Sequence, residues 1–361
     1  MNLFSPIAIG NLTLRNRVVM APMSGNQASP DGSQGAEVAE YYAQRALGGV
    51  ALIVTGALFV TPPHPDSPRR FPSLHTDEMI PGLNAIVEAV HAGGAAVFGQ
   101  LASTLWPSGD MPVDWRIEQV QQLREDFVAA AVRARRAGCD GIELHMAHYS
   151  TLADFISRGL NRRNDRYGGT LDGRARLAVE IVAGIRRRLG PDYPISCRFC
   201  ADECMMGGNT LKETIPLARM LVDAGATMLS VSAGGRLRQG GEYSYFRAYP
   251  MHDWPDAMNA YLGEEIRRAV HVPVAVAGKI GGPQVAETVL QRGQADLIAL
   301  GRALLADPDW ANKAREGRWD EINACIYCRY CRDSTEKGEP IRCVKTPAPS
   351  SDMGMRAGCM F

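Results

Sequence analysis

Short apolar runs recur along the chain, and each is followed by a stretch whose apolar residues return at helical spacing. The runs predict strands at Arg17 to Ala21, Val50 to Thr55, Ala95 to Leu101, Gly141 to His145, Ile195 to Phe199, Met228 to Ser232, Pro273 to Ala277 and Leu297 to Gly301. The segments between them predict helices at Ala36 to Leu47, Met79 to Ala92, Ile117 to Ala137, Leu171 to Leu189, Leu211 to Ala224, Gly263 to Val270 and Pro283 to Arg292. Gly93, Gly138, Gly190, Gly225 and Gly293 stand where helix C-termini favour glycine. Eight strands alternating with helices predict an α/β fold, a (β/α)8 TIM barrel over residues 1–315, followed by a C-terminal cysteine-rich segment over 316–361. An open doubly wound sheet is the alternative, but the G-x-G-x-x-G turn expected after its first strand is missing.

In such a barrel, ligand-binding residues gather where strands end. The first strand ends in Pro22-Met23-Ser24, the third in Gln100, the fourth in His145 and His148, and the fifth in Arg198. The seventh runs into Gly278-Lys279 and the eighth into Gly301-Arg302. The last corner suits a phosphate, because glycine lets backbone N–H groups approach an anion while Arg302 adds charge.

Composition narrows the class. With 46% hydrophobic residues, 22% charged residues and 39 basic residues against 39 acidic, the 361-residue chain has the profile of a globular protein without a bias toward polyanions, which argues against a nucleic-acid partner. No segment approaches the roughly 20 apolar residues a membrane helix needs, and the N-terminus lacks a secretory pattern, so a cytoplasmic protein is expected. Nine cysteines in that setting point to metal or redox chemistry rather than disulfides. Cys325, Cys328, Cys331 and Cys343 form C-x2-C-x2-C-x11-C, three thiolates on one tight loop and a fourth returning to it. That spacing suits a 4Fe-4S cluster, with four-cysteine zinc as the alternative. Cys197, Cys200 and Cys204 tempt the same reading, but Cys197 falls within a strand that already carries Arg198 and reads as a small buried hydrophobe.

The runs LFSPIAIGNLTLRNRVVMAPMS, FGQL, IELHMAHYSTLADFISRGLNRRNDRYGG, AGKIGGPQVAETVL and ADLIALGRALLADPDW together resemble the FMN-binding old yellow enzyme family. With the cysteines added, the chain resembles the FMN module of that family's iron-sulfur branch, the group of 2,4-dienoyl-CoA reductase and trimethylamine dehydrogenase. The resemblance implies FMN over the barrel mouth, with Pro22, Met23 and Ser24 along one side, Ala57 near its edge, Gln100 and Arg198 at its pyrimidine end, and Gly278, Lys279, Gly301 and Arg302 at its phosphate. It implies that His145 and His148 grip a substrate oxygen, and that the asparagine-to-glycine string Asn161 to Gly169 is structural. No cysteine lies near Ser24, so the flavin is expected to be non-covalent.

Two departures bear on chemistry. Ene-reducing relatives carry a proton-donating tyrosine where this chain has Ser150, which leaves Tyr149 and Tyr249 as candidates, the latter in the glycine- and aromatic-rich segment after the sixth strand. The H-x-G-R continuation usual after the third-strand glutamine reads Ser103-Thr104-Leu105-Trp106. The expected activity is an FMN- and 4Fe-4S-dependent oxidoreductase reducing an activated C=C bond of an enone or enoyl-CoA type. The alternatives are an amine dehydrogenase or demethylase, and an electron-relay subunit. Electrons would come from NAD(P)H or from a ferredoxin or flavin-containing partner; a homo-oligomer is left open.

Overall fold

The computed structural model describes residues 2–64, 67, 69–103, 111–148, 150–239, 242–246 and 250–346. The chain begins with an antiparallel pair, β1 (Ile7–Ile9) and β2 (Leu12–Leu14), joined through Gly10 at φ 57°. Next come β3 (Val18–Met20), α1 (Ala36–Leu47), β4 (Leu52–Val54), the short β5 (Leu58–Phe59), α2 (Ile80–Ala92), β6 (Ala96–Ala102) and α3 (Ile117–Arg136). The middle holds β7 (Gly141–Met146), α4 (Thr151–Ile156), α5 (Leu171–Leu189), β8 (Ile195–Asp202), α6 (Leu211–Asp223) and β9 (Met228–Ala233). A second antiparallel pair, β10 (Gly235–Gln239) and β11 (Glu242–Phe246), precedes α7 (Ala260–Ala269), β12 (Val274–Val276), α8 (Pro283–Gln291) and β13 (Leu297–Leu300). Then follow α9 (Arg302–Ala306), α10 (Trp310–Arg315) and α11 (Tyr330–Glu336).

Strands β3, β4, β6, β7, β8, β9, β12 and β13 pair in parallel, and a pairing of β4 with β6 and of β3 with β13 closes the ring. This is the predicted (β/α)8 barrel, its strands falling within the expected runs or extending them by up to three residues. The predicted helices match within about three residues, because caps mark their ends. The Thr170 hydroxyl accepts from the Gly173 N–H at the start of α5, and Thr210 and Glu213 form a capping box on α6. The two added antiparallel pairs and the short α4 lie outside the sequence expectation.

One apolar layer fills the space between strands and helices, through residues such as Ile142, Leu144, Cys197, Phe199 and Ile181. A second lies inside the barrel floor: Val19, Leu52, Phe98, Met228, Ala275 and Leu297 meet Ile9 and Leu14 of the N-terminal pair, which plugs the bottom. Above the floor the interior changes character on one side only. Gln100, Glu143, Ser196, Arg198, Ser230 and Ser232 climb through β6 to β9, whereas β3, β12 and β13 offer Ala21, Ala277 and Ala299.

The loop from Asn161 to Gly169 braces this polar side. Asn161 Nδ2 donates to the carbonyls of Phe155 and Tyr167, and Arg163 pairs with Asp165 while reaching the Trp115 carbonyl. A side chain at Gly168 would lie 2.2 Å from the Arg163 carbonyl oxygen, so only glycine fits. Among the described residues, no helix is long and apolar enough to cross a membrane.

Candidate active site

Strand register sets the site's layers. Gln100, Glu143 and Ser196 are direct neighbours across β6, β7 and β8, and His145, Arg198 and Ser230 are neighbours one step nearer the rim. Because alternate strand residues face the same way, both rows point into the barrel. In the lower row Glu143 is fully enclosed, accepting from Gln100 Nε2 and Ser196 Oγ at 2.9 Å each. Burial pushes its carboxyl above the usual carboxylate range, opposed by the Arg198 cation. The sequence reading passed over Glu143; its signal was an acidic residue inside the apolar strand GIELHM.

Arg198 is 6% exposed, and among the described residues its buried Nε and Nη1 have no hydrogen-bond partner. A buried guanidinium left in that state is costly unless a ligand completes it. Above it, the His145 and His148 rings lie 5.6 Å apart, with His145 Nδ1 also buried and unpartnered. His148 sits at φ 59°, where its backbone N–H donates to Cys200 Sγ and its Nε2 meets the Ser232 hydroxyl at 2.9 Å. Desolvation first, and the Arg198 charge second, push His145 down to about 3 and His148 well below the usual value. Both rings are therefore neutral near pH 7.

Ser150 has a different task from that of a proton donor. It is buried at the N-cap of α4, and its hydroxyl accepts from the Ala153 N–H at 3.3 Å. The two tyrosine candidates, Tyr149 and Tyr249, lie outside the described residues, as do Thr104, Leu105 and Trp106.

On the opposite rim, Pro22 and Met23 are half-buried and Ser24 is exposed after β3, while Ala57 is buried between β4 and β5. Met23 Sδ packs against Gly301, where an added Cβ would come within 3.4 Å. Gly278 takes φ 149°, and a side chain there would collide with Asn259. Lys279, at φ 53°, turns its ammonium to the carbonyls of His252 and Trp254 and lies 3.5 Å from Asp256. Arg302 Nη1 donates to the Pro250 carbonyl. The two cations at this corner thus already hold the 250–256 segment, and what they leave toward the mouth is the backbone around Gly278 and Gly301.

The cysteine loop packs against the same corner. Tyr327, between Cys325 and Cys328 in the chain, lies with its ring 4.7 Å from the Arg302 guanidinium and 5.2 Å from the Lys279 ammonium. Its backbone N–H donates to Cys325 Sγ, and its φ of 55° is a left-handed conformation uncommon for an aromatic residue. Burial raises the Cys325 and Cys331 thiols; Arg302 pulls both down, and the remaining cysteines of the set lie within electrostatic reach of each. Among the described residues, no three His, Cys, Asp or Glu side chains converge tightly enough for a single metal ion. Two bonds tie the segment to the loop after β3: Ile341 N–H to the Gly25 carbonyl, and Asn26 Nδ2 to the Glu339 carbonyl.

A closed parallel barrel with histidines, an arginine and glycine corners at one rim defines an enzyme of the flavin-handling TIM-barrel kind. The pattern of the NADH:flavin oxidoreductase / NADH oxidase family matches residues 2–108 and 108–321, and the chain belongs to that family of oxidoreductases. It is 40% identical over 352 residues to an NADH oxidase of Thermoanaerobacter brockii, a match that covers 91% of this chain and 52% of the relative. Among solved structures, it resembles 2-naphthoyl-CoA reductase in complex with 2-naphthoyl-CoA, with a TM-score of 0.86 and 25% identity over 96% of this chain and 57% of the other. Histamine dehydrogenase from Rhizobium sp. 4-9 superposes with a TM-score of 0.82 and 26% identity, over 96% of this chain and 52% of that one. The chain spans about half the length of these relatives.

Proposed function

We propose that the barrel mouth holds FMN and reduces an activated C=C bond, with a 4Fe-4S cluster at the cysteine loop as the site's electron port. The observation that carries the flavin reading is Arg198: a buried cation with two unpartnered nitrogens, beside Gln100 and under two histidines, is a site built for an electron-rich, carbonyl-bearing ring edge. In this reading Gln100 and Arg198 address the pyrimidine end, Pro22, Met23, Ser24 and Ala57 border the ring, and the corners Gly278-Lys279 and Gly301-Arg302 take the phosphate. FMN supplies hydride exchange at its N5 when bound.

The protein's own part is electrostatic. Arg198 offers fixed positive charge where the reduced ring carries negative charge, and Glu143, locked by Gln100 and Ser196, sets a carboxyl group within electrostatic reach of that guanidinium. The neutral imidazoles of His145 and His148 present N–H donors to a substrate carbonyl, which withdraws electron density from the conjugated double bond. Tyr149 and Tyr249 remain the proposed proton donors to the substrate carbon. Ser150, spent as an N-cap, is not one.

For the cysteines, Cys325, Cys328, Cys331 and Cys343 are the proposed ligands; burial raises the Cys325 and Cys331 thiols, and the Arg302 cation opposes that rise at both. NAD(P)H, or a ferredoxin or flavin-containing protein, is the proposed electron source, and residues 316–361 are proposed as a unit distinct from the barrel. The likeness to histamine dehydrogenase, together with the N-cap role of Ser150, favours a second reading: amine oxidation, which needs no proton donated to a substrate carbon.

The test is anaerobic photometry with the reconstituted protein. Enones, enoyl-CoA thioesters and tertiary amines are offered in turn to the reduced and oxidised flavin. Reoxidation by unsaturated carbonyls supports the first reading, reduction by amines supports the second, and failure to bind FMN at all overturns both. Zinc without iron in the purified protein would remove the cluster.

A further inference from the structure

Between the end of β8 and the short helix α4 the fold leaves a small pocket. Polar groups from separate elements line it: Asp154 of α4 and Ser157 at its end, Cys200 of β8, Glu203 just beyond, Arg236 of β10, and His148 of the active site. About 20 Å³ of it is open, room for one water, and a water there would find the polar partners it needs. Arg236 donates Nε to Asp154 Oδ1 at 3.2 Å and Nη2 to Oδ2, a buried pair that pins β10 to α4. His148 is tied to the same strand end by its backbone bond to Cys200 Sγ.

Glu203 is 7% exposed and boxed in. Its Oε2 accepts from Ser157 Oγ at 3.0 Å and from the Asn209 N–H at 2.9 Å, while Oε1 meets Asn209 Nδ2 at the longer distance of 3.3 Å. Oε2 is therefore the carbonyl-like oxygen, and Oε1 is the one left to carry a proton. A side chain at Gly208 would lie 2.6 Å from Oε2, and one at Gly235 3.2 Å from the Glu203 Cβ, so two glycines let the backbone close over the carboxyl. The charged and titratable groups around it are Asp154 from α4, Arg174 from α5, Arg236 from β10 and His148, with Cys200, Asp202 and Cys204 beside it in the chain. Burial is the main cause of its rise to about 7; Asn209 and Ser157 oppose that rise, Asp154 adds to it and Arg174 opposes it. A carboxyl that keeps its proton near neutral pH suits a general acid.

We infer that Glu203 is the proton store of the active site, passing a proton through one water in this pocket to His148, which gives its own to the substrate oxygen it holds. The inference rests on the proposed C=C reduction, in which hydride adds to the β-carbon and the π electrons move onto the carbonyl oxygen. His148 gives its ring N–H proton to that oxygen while its other nitrogen takes one from the water. Glu203 restores the water, and solvent reprotonates the Glu203 carboxylate. The product is the enol, which becomes the saturated carbonyl with no further gain of atoms. A relay through one water is within the reach of general acid catalysis. Glu203 acts through His148 and touches no substrate; a role confined to bracing the 203–209 loop would be met by Gln, which has the same shape.

The experiment takes flavin-loaded wild type, Glu203→Gln and Ala153→Val, reduces each anaerobically and mixes it with cyclohexenone or crotonyl-CoA in a stopped-flow across pH 6 to pH 9. In wild type the reoxidation rate should fall as pH rises through about 7, because the carboxyl gives a proton only while it holds one. Glu203→Gln should be slower at pH 6 by on the order of 100-fold and lose that pH dependence. Ala153 lines the pocket, and the two methyl groups added in Ala153→Val should displace the water and slow reoxidation in the same way. Infrared difference spectra of the flavin-free protein should show a protonated-carboxyl band that titrates near pH 7 in wild type and Ala153→Val and is missing from Glu203→Gln. A wild-type pH profile in Glu203→Gln, whether or not the rate falls, overturns the proton store and leaves C=C reduction standing. Failure of both compounds to reoxidise wild type overturns the C=C reading itself. Should Glu203→Gln not fold, a wild-type rate in Ala153→Val, or the absence of any carboxyl titrating near pH 7, overturns the inference.

Discussion

The two poles of the barrel mouth are built on opposite principles. At the β6–β8 pole, Arg198 Nε and Nη1 and His145 Nδ1 are buried without a hydrogen-bond partner among the described residues, and Glu143, held by Gln100 and Ser196, lies in the row below. At the β12–β13 pole, Lys279 donates to the His252 and Trp254 carbonyls, Arg302 donates Nη1 to the Pro250 carbonyl, and both cations face the Tyr327 ring. The first pole carries buried donors of the kind that a ligand edge would complete. The second is a finished wall that meets an anion mainly with backbone. Electrostatic specificity should therefore reside at the first pole and tolerance at the second.

The largest expected effect breaks the first pole from beneath. Glu143→Leu leaves the Arg198 charge buried without its counter-charge, and the protein should lose about 3–5 kcal/mol in urea unfolding. A loss under 1 kcal/mol would mean that Arg198 is not held by Glu143. Next, Arg198→Met should cut turnover by roughly 100- to 1000-fold, as removal of a preorganised charge-stabilising donor does, with FMN reduction rates as the readout.

Acid titration follows. His145 has a folded-state value depressed to about 3 from the usual 6.5, so the unfolded chain takes the proton first, and stability falls as pH drops below 6.5 at about 1.4 kcal/mol per unit. His145→Gln should remove that share of the slope and leave the share of His148, which is depressed in the same sense. Glu203 works in the opposite sense: burial raises it to about 7 from 4.5, so its contribution is lost as pH rises through that window, and Glu203→Gln should remove the loss. Urea midpoints between pH 4 and pH 8 measure both.

At the second pole, Lys279→Met should weaken FMN binding by less than about tenfold, roughly 1.4 kcal/mol, in a fluorescence titration. A larger loss than that of Arg198→Met in the same titration would reverse the comparison. Smallest of all, Ser150→Ala should cost about 1 kcal/mol of stability as a lost N-cap while leaving turnover near wild type. A collapse of turnover with the fold intact would give Ser150 a part in the chemistry beyond its N-cap.

The barrel was legible because its strands are short apolar runs and its helices carry capping signals such as Thr170 and Thr210, which act locally. The pair β10–β11 was not, because GGRLRQGGEYSYF lacks the apolar alternation of a half-buried strand. Of the candidate site, His145, His148, Gln100 and Arg198 were readable from strand-end position, and the structure brings them together. Glu143, Ser232 and Tyr327 were not. Their importance comes from cross-strand register or from packing between distant segments, such as Tyr327 against Lys279 and Arg302, which no local pattern encodes. Lys279 and Arg302 were readable as charges, but their commitment to the 250–254 segment was not.

The two clasps between Gly25-Asn26 and Glu339-Ile341 place the cysteine segment on the loop that also presents Met23 and Ser24. Whatever orders one side orders the other, and thermodynamic reciprocity then requires the influence to run both ways with equal strength. If the proposed cluster fills the cysteine loop, it should tighten flavin binding by the same factor by which flavin tightens the hold on the cluster. The barrel and its appendix would then load as one cooperative unit, and an iron-starved preparation would also be a flavin-poor one.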